Sequence, residues 1–253
     1  MFTNAMPFAK KGIFFERHFS DDSFITFTYT TTNDGNFTFT VYPEKKYIFS
    51  DSDKSDIDFL CQTIFTLLDR SQLYTTLKRI AEHDPLTGAY NKDGFIKVGN
   101  ILSEKKFLSK CSVLYLDLKN FSTINRKYGL PIGDVVLRSY AQELFNFIGK
   151  AGFVGRLGGN FFAIIIKNAK LSQIIQFLEE VPIKIKSPDG AILQEKISAK
   201  IGLCACDKLI PFVEFLSRAS IAMKNAKASP VQDLIIFEQS MMDNLDDKLT
   251  IKV

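Results

Sequence analysis

The spacing of the hydrophobic residues changes at residue 51, and this change constrains the fold more than any other feature of the chain. Before it, the runs Phe24-Ile25-Thr26-Phe27-Thr28-Tyr29 and Phe37-Thr38-Phe39-Thr40-Val41-Tyr42 alternate apolar with hydroxyl-bearing residues, which is typical of strands. Asp34-Gly35 between them is a hairpin-turn signal. Residues 1–53 are therefore predicted to form a small antiparallel β-rich region, and a sheet of only about 40 residues must pack on another element to be stable.

After residue 51 the apolar residues recur at every third or fourth position, which is the period of an amphipathic helix. They are Ile57, Leu60, Ile64, Leu67, Tyr74, Leu77 and Ile80. We predict one connecting helix of about 25 residues within residues 54–82, preceded by capping Asp and Ser residues. Its apolar seam suits a linker helix that pairs with itself in a homodimer, and packing on its own N-terminal sheet explains the same pattern equally well.

From residue 83 to residue 242 helical and strand patterns alternate. The predicted elements are a strand at 112–116, a helix at 132–147, a hairpin at 152–166, a helix at 171–180, a strand at 196–206, a helix at 210–226 and a strand at 234–237. Helices interleaved with an antiparallel hairpin predict an α+β fold with a mixed, mainly antiparallel sheet flanked by helices. The polar residues 243–253 are predicted to be a tail or linker.

Charge and cysteine usage exclude several classes of function. The chain has 32 basic and 28 acidic residues without a long run of one sign, so we expect no nucleic-acid partner. No stretch approaches the roughly 20 apolar residues of a membrane-spanning helix, and the N-terminus does not resemble a signal peptide. Cys204 and Cys206 are expected to be buried thiols, and the four cysteines contain no CxxC pair. A cytoplasmic protein is the expectation.

Three groups of residues can carry chemistry. Asp117 follows the apolar strand, where a carboxylate can meet a cation or a phosphate. Asn125 and Asp134 flank a Tyr-Gly turn, and an amide with a carboxylate can read the edge of a guanine base. Gly158-Gly159 forms the tip of the hairpin, where paired glycines let the backbone approach a phosphate.

In their order along the chain, these groups form motifs. The motifs are Asp84-Pro85-Leu86-Thr87-Gly88-Ala89-Tyr90-Asn91-Lys92, Leu116-Asp117-Leu118-Lys119-Asn120-Phe121-Ser122-Thr123-Ile124-Asn125, Tyr128-Gly129-Leu130-Pro131-Ile132-Gly133-Asp134-Val135-Val136-Leu137 and Gly155-Arg156-Leu157-Gly158-Gly159-Asn160-Phe161-Phe162. Residues 83–242 resemble the GGDEF (diguanylate cyclase) family in these motifs. Residues 1–53, a strand meander that leads into the long helix, more loosely resemble a partial PAS or GAF sensor region.

The resemblance implies an activity and a set of site residues. In the family, two GTP-loaded domains meet in a dimer, and divalent ions help each 3′-hydroxyl to attack the α-phosphate of the other GTP. By resemblance, Asp117 and the backbone carbonyl of Leu118 would bind Mg²⁺. Asn125 and Asp134 would read guanine, while Phe121 and Lys227 would line the rest of the nucleotide site.

This sequence departs from the family at the positions that perform the chemistry. The signature reads Gly158-Gly159-Asn160-Phe161-Phe162, so that Asn160 and Phe161 replace two acidic residues and no catalytic residue is assigned. Lys119 replaces the second aspartate of an Asp-x-Asp pair, Ser122 a phosphate-binding lysine, and Val231 an arginine. We therefore expect the Mg²⁺ site to be weakened.

The product-inhibition motif of the family, Arg-x-x-Asp, falls on Gly149-Lys150-Ala151-Gly152 and is absent. Phe162 is expected in the core. For Phe161 two readings stay open: loss of activity, or an exposed apolar contact for a protein partner.

The sequence thus predicts a catalytically inactive GGDEF domain that acts as a regulatory, GTP-binding module in cyclic-di-GMP signalling, with a downstream EAL domain or another signalling protein as partner. A nucleotide-independent interaction or dimerisation module is the alternative, and residual diguanylate cyclase activity is the third reading. GTP affinity separates the first two, and product formation identifies the third.

Overall fold

The computed structural model describes residues 14–20, 24–30, 36–44, 48–186, 192–206 and 210–242. The chain divides into two compact units, Met1–Leu77 and Lys78–Val253. The predicted turn at residues 31–35 and the predicted tail at residues 243–253 lie outside the described residues.

A three-stranded antiparallel sheet opens the first unit. Its strands are β1 (Phe14–Ser20), β2 (Phe24–Thr30) and β3 (Asn36–Val41), in the order β1-β2-β3. The register pairs Ile25 with Val41 and Phe27 with Phe39, as expected for a hairpin with one apolar face. Ile25 and Phe27 are buried with Phe49, Cys61 and Phe65 in a small core.

Helix α1 (Asp51–Glu82) is longer than predicted, with 32 residues rather than about 25. It begins earlier because Ser50 and Asp53 cap it reciprocally: the Ser50 amide donates to Asp53 Oδ2 at 2.8 Å, and the Asp53 amide donates to Ser50 Oγ at 3.2 Å. Cys61 and Phe65 form its buried face, whereas a second apolar row is exposed. That row comprises Leu60, Ile64, Leu67, Tyr74 and Leu77. Among the described helices, including this one, none is long and apolar enough to cross a membrane.

The second unit is built on a five-stranded sheet with the order β10-β9-β4-β6-β5. Its elements are α2 (Lys92–Glu104), β4 (Cys111–Leu118), α3 (Phe121–Tyr128), α4 (Leu130–Ile148), β5 (Gly152–Gly158), β6 (Phe161–Lys167), α5 (Leu171–Glu179), β7 (Val181–Lys186), β8 (Ile192–Ile197), β9 (Ala199–Ala205), α6 (Phe212–Ala228) and β10 (Leu234–Ile236). Only the β9–β10 pair in this sheet is parallel. The predicted α+β class with a mixed, mainly antiparallel sheet is therefore confirmed.

Helices cover both faces of this sheet, and the alternation of side chains along β4 shows why. Leu114 and Leu116 point into a core formed with α4 and α5, whereas Val113 packs in a second core formed with α2 and α6. Because β4 is the central strand and both of its faces are buried, its sequence is a nearly continuous apolar run.

Three sequence-based expectations were wrong about the elements. The single strand predicted at 196–206 is two strands, β8 and β9, because the chain passes at Ser198 from the separate β7–β8 hairpin into the main sheet. Helix α2 was not predicted, although Asn91 caps it by accepting from the Gly94 amide at 2.9 Å. Helix α3 was also missed, since it has 8 residues and no buried side chain to reveal a period. Cys204 and Cys206 are buried, as expected.

Candidate functional site

Asp117 is a buried carboxylate near the end of the central strand. In the sheet register it lies opposite Phe161 on β6 and Lys200 on β9, so these three side chains share one face. Its exposed fraction is 4%, and Ser112 and Asp117 are the two buried polar residues among the described ones. A carboxylate at this depth requires hydrogen-bond or ionic partners.

Asn160 is one of these partners, and it donates hydrogen bonds to the two oxygens that were predicted to bind a cation. Its amide Nδ2 donates to Asp117 Oδ1 at 2.5 Å and to the Leu118 carbonyl oxygen at 3.0 Å. Because both partners can only accept, the amide must turn its NH₂ group toward them. An acidic residue at this position would instead present a third acceptor, and three facing acceptors require a cation between them.

Lys227 occupies the other oxygen of the same carboxylate. Its Nζ lies 2.6 Å from Asp117 Oδ2, and the exposed fractions of the two side chains are 62% for the lysine and 6% for the aspartate. Both carboxylate oxygens therefore accept from protein donors. Mg²⁺ prefers anionic oxygens and repels ammonium groups, so the residues present do not fit a bound Mg²⁺. The part of the chain that the structure describes contains no cluster of three or more His, Cys, Asp or Glu side chains suited to a metal.

The two phenylalanines of the signature have different environments. Phe162 is fully buried, as expected, and its ring centroid lies 5.3 Å from that of Tyr140. Phe161 is half-buried, with its ring 6.0 Å from the Tyr115 ring and 5.9 Å from Lys227 Nζ. Since Phe161 packs against neighbours on its own sheet face, the exposed partner contact proposed for it from the sequence is not supported by its position.

Lys119 lies two positions after Asp117 but binds a different carboxylate. Its ammonium pairs with Asp233, and Lys200 Nζ lies 3.1 Å from the other oxygen of that carboxylate. The hydrogen bond from Lys119 lowers the pKa of Asp233. Burial raises this pKa by a smaller amount, and the hydrogen bond from Lys200 lowers it further. Lys200 also donates to the carbonyls of Ser229 and Gln232 at 2.7 and 3.0 Å. This arrangement holds the segment after α6, where Val231 is 87% exposed.

The predicted base-reading residues lie on two successive helices, Asn125 on α3 and Asp134 on α4. A methyl group built on Gly133 would lie 1.9 Å from Asn125 Oδ1 and 3.3 Å from the edge of the Phe121 ring, so all three residues meet there. Asn125 Oδ1 is buried and has no hydrogen-bond partner among the described residues, whereas Asp134 is exposed. Gly129, with φ of 84°, makes the turn between α3, which carries Asn125, and α4, which carries Asp134.

Arg156 joins two of the motifs, a role that was not predicted from the sequence. Its guanidinium donates twice to the Gly159 carbonyl, at 3.0 and 2.8 Å, and its NH1 nitrogen donates to both oxygens of Asp84, at 3.0 and 3.1 Å. It therefore ties the Asp-Pro-Leu-Thr-Gly turn to the tip of the hairpin, where Gly158 and Gly159 have φ of 129° and 53°. An arginine two residues before a Gly-Gly pair was the available signal.

Asp84 is held in its ionised form by this contact. Partial burial acts to raise its pKa, but hydrogen bonds from Thr87 and Arg156 outweigh burial, and the pKa lies below its ordinary value. Thr87 donates from its amide at 2.9 Å and from its hydroxyl at 2.6 Å. The carboxylate thus closes its own turn and anchors Arg156.

The positions of the family's inhibitory motif cannot hold an arginine and an aspartate in this backbone. Gly149 has φ of 47°, and a methyl group on Gly152 would lie 2.1 Å from the Ile165 carbonyl oxygen. The adjoining recess, about 190 Å³, is lined by no lysine or arginine. Its lining residues are His83, Gly88, Tyr90, Phe145, Ile148, Gly149, Gly152, Phe153 and Val154.

Comparisons with known proteins agree with the motifs. Residues 81–232 match the family model described as diguanylate cyclase, GGDEF domain. The biofilm architecture maintenance protein MbaA of Vibrio cholerae is 30% identical over 191 residues, which are 68% of this chain and 24% of MbaA. The cyclic di-GMP phosphodiesterase PdeB of Shewanella oneidensis is 28% identical over 198 residues, which are 74% of this chain and 22% of PdeB. The chain thus spans less than a quarter of the length of these curated relatives.

Solved structures show the same fold. The coiled coil and GGDEF domain of DgcB from Caulobacter crescentus, in complex with c-di-GMP, has a TM-score of 0.60 and 20% identity over 72% of this chain and 99% of that chain. A microbial GGDEF domain studied for its interaction with cyclic di-GMP has a TM-score of 0.51 and 28% identity over 63% of this chain and 99% of that one. Because the family model covers more than half of the chain and the architecture agrees with it, this chain belongs to the GGDEF domain family.

Proposed function

We propose that this chain is a catalytically inactive GGDEF domain that binds a guanine nucleotide and acts as a regulatory module in cyclic-di-GMP signalling. One observation carries the proposal: the Asn160 amide donates to both oxygens, on Asp117 and Leu118, that would bind a cation. The acceptor set needed for a catalytic metal is thereby replaced by a closed hydrogen-bond network.

Phosphoryl transfer depends on positioning and on cations that neutralise the developing charge. Here Asn160 and Phe161 remove two carboxylates, and Lys227 already pairs with the remaining one. Exposed Ser122 and Val231 stand where the family resemblance puts a lysine and an arginine for phosphate. Both the metal site and the phosphate contacts of a cyclase are therefore reduced in this chain.

The base-binding side of the site is retained. Asp134 is exposed and can accept from the N–H groups of guanine, and Asn125 lies against Gly133, the residue before Asp134. A site that hydrogen-bonds a base edge discriminates strongly against bases that lack the matching donors. Binding of a guanine nucleotide without turnover is the consequence.

The relatives supply the signalling context of the proposal. They include proteins named as a cyclic di-GMP phosphodiesterase, a biofilm architecture maintenance protein and, in Escherichia coli, the diguanylate cyclase DgcN. By analogy with these longer proteins, we propose that the domain regulates a cyclic-di-GMP enzyme in the cytoplasm, with an EAL domain as the expected partner.

The activity arm of the test incubates the purified chain with GTP and either Mg²⁺ or Mn²⁺ and measures cyclic di-GMP by chromatography. We expect no product, because the cation ligands are engaged by Asn160 and Lys227. The double substitution Asn160→Asp, Phe161→Glu is expected not to restore full activity, since the phosphate contacts at Ser122 and Val231 are still missing. Multiple turnovers by the unaltered protein would disprove catalytic inactivity.

The binding arm measures GTP and ATP affinity by calorimetry. We expect a dissociation constant for GTP of roughly 10 to 100 µM and a clear preference over ATP. Asp134→Ala should abolish that preference, whereas Asp93→Ala, which removes another exposed aspartate close to a helix start, should leave it intact.

A second function, a dimerisation module without nucleotide, is favoured by the exposed apolar row on α1. If GTP does not bind at millimolar concentration while the chain still forms a dimer, this second function replaces the first.

A further inference from the structure

The charges around Asp117 are reversed relative to those of a metal-dependent site. By the family resemblance, positions 117, 119, 160 and 161 would all be acidic and would carry four negative charges. In this chain they are Asp, Lys, Asn and Phe, with a sum of zero. Lys227 pairs with Asp117, and Asp233 pairs with both Lys119 and Lys200. With these three residues added, the cluster has three positive and two negative charges, a net charge of +1.

We propose that this site binds the phosphates of a guanine nucleotide without a divalent cation, with the Lys227 ammonium in the place of the metal. The inference rests on the proposed function, because it concerns the phosphate half of the same nucleotide site.

A cation at the Asp117 and Leu118 oxygens would compete with the contacts that these oxygens already make. It would meet the Asn160 amide, which donates to both Asp117 and Leu118, and the Lys227 ammonium, which lies 2.6 Å from Asp117. Each lost contact is a hydrogen bond to a buried oxygen, one of them in an ion pair with a lysine, and like charge would oppose the cation's approach.

Lys227 retains donors for a further anion. An ammonium group has three donor hydrogens, and the contact with Asp117 uses one of them. The lysine side chain is 62% exposed while the aspartate is 6% exposed, so the remaining donors face outward. Asp117 thus holds Lys227 from beneath, and the Phe161 ring lies 5.9 Å from the ammonium on the same sheet face.

Lys227 is better placed to donate to a phosphate than the two neighbouring lysines. Lys200 binds the Asp233 carboxylate and two backbone carbonyls, which uses its three donors. Lys119 also binds Asp233, and its side chain is 28% exposed, against 62% for Lys227. They contribute positive potential, whereas the directional hydrogen bond to phosphate comes from Lys227.

In solution Mg²⁺ binds the phosphates of GTP and cancels two of their negative charges, which weakens their attraction to a lysine. A site that needs the cation loses affinity when the cation is removed. The site in this chain should bind GTP as tightly in EDTA as in Mg²⁺, or more tightly.

The test is calorimetry on the full chain with guanosine and GTP, each in EDTA and in Mg²⁺. We expect GTP to bind more tightly than guanosine in EDTA and not to gain affinity in Mg²⁺. Lys227→Gln should weaken GTP binding in EDTA by roughly fivefold and leave guanosine unchanged. The control Lys224→Gln, an exposed lysine one turn earlier on α6, should change neither.

A second measurement does not use the nucleotide. Mn²⁺ binding, followed by electron paramagnetic resonance, should be undetectable below millimolar concentration for the unaltered chain. It should appear for Asn160→Asp, because that change converts the amide donor into a third oxygen ligand beside Asp117 and Leu118.

The outcomes distinguish the two proposals. If guanosine and GTP bind equally, or if GTP binding falls more than about tenfold in EDTA, the metal-free phosphate site is wrong while guanine binding stands. Sub-millimolar Mn²⁺ binding by the unaltered chain would also overturn the phosphate proposal. If neither guanosine nor GTP binds, the proposed function itself fails.

Discussion

At the scale of single residues, Arg156 and Asp84 link two motifs that are 72 positions apart in the chain. The side chains are 13% and 18% exposed, and the arginine also donates to the backbone at Gly159. This contact fixes the conformation of the hairpin tip and also stabilises the folded state of the second unit. It shows that the Asp-Pro-Leu-Thr-Gly turn is part of the site's support and does more than connect two elements.

The pH dependence of this contact can be predicted from the lowered pKa of Asp84. Its stabilisation should be complete above the ordinary value of 3.8 and lost as the pH falls through the lower pKa of the folded state. Asp84→Asn should lower the free energy of unfolding by about 2 kcal/mol at neutral pH.

Urea unfolding of Asp84→Asn and the unaltered chain at several pH values checks this prediction. The difference between them should stay constant from about pH 8 to about pH 5 and shrink below about pH 4. Asp93→Asn, at an exposed position on α2, serves as the control. A difference that persists undiminished at pH 3 would contradict the assignment.

At the scale of elements, helix α1 carries two apolar faces. Cys61 and Phe65 pack in the core of the first unit, whereas Leu60, Ile64 and Leu67 are exposed at a spacing of three and four residues. The two alternatives for the seam, packing on the N-terminal sheet or pairing with a second copy, therefore involve different residues. The first is observed on one face, and the second stays a prediction for the other.

We expect the exposed row to support a homodimer, since a sustained apolar seam at this spacing is the pattern of a coiled coil. Ile64→Lys with Leu67→Lys should convert a dimer into a monomer in light scattering coupled to size-exclusion chromatography. Gln62→Lys, at an exposed position outside both apolar faces, should leave the mass unchanged. A monomeric unaltered chain at all concentrations would show that this seam does not mediate dimerisation.

At the scale of the whole molecule, the two units differ greatly in the size of their cores. The described part of the first unit has five buried core residues, whereas the second unit has two large clusters on the two faces of its sheet. Small cores bury a smaller share of their surface and are correspondingly less stable. The first unit should therefore unfold at the lower temperature.

Scanning calorimetry of two substitutions checks this division. Phe65→Ala should lower the temperature of the first transition only, and Phe162→Ala that of the second only. Because both rings are buried, each substitution should reduce the unfolding free energy of its unit by about 3 kcal/mol or more. If both substitutions shifted one common transition, the units would be thermodynamically coupled and the prediction would be wrong.

Much of the fold followed from local patterns in the sequence. The strand period before residue 51, the helical period after it and the apolar run of β4 each report the burial of one element, so element type and fold class were predictable. The family motifs located Asp117, Asn125, Asp134 and the replaced positions Asn160 and Phe161. Short elements without a buried face, such as α3, left no such pattern.

What the tertiary structure decided was the set of partners within the site. Asp117 binds Asn160, which is 43 positions away in the chain, and Lys227, which is 110 positions away. Lys119 binds Asp233, 114 positions away. The sequence showed that acidic residues had been lost, but a residue type alone does not say whether its donor faces a neighbouring acceptor. That depends on strand register and side-chain direction, which only the packing of the whole sheet and α6 determines.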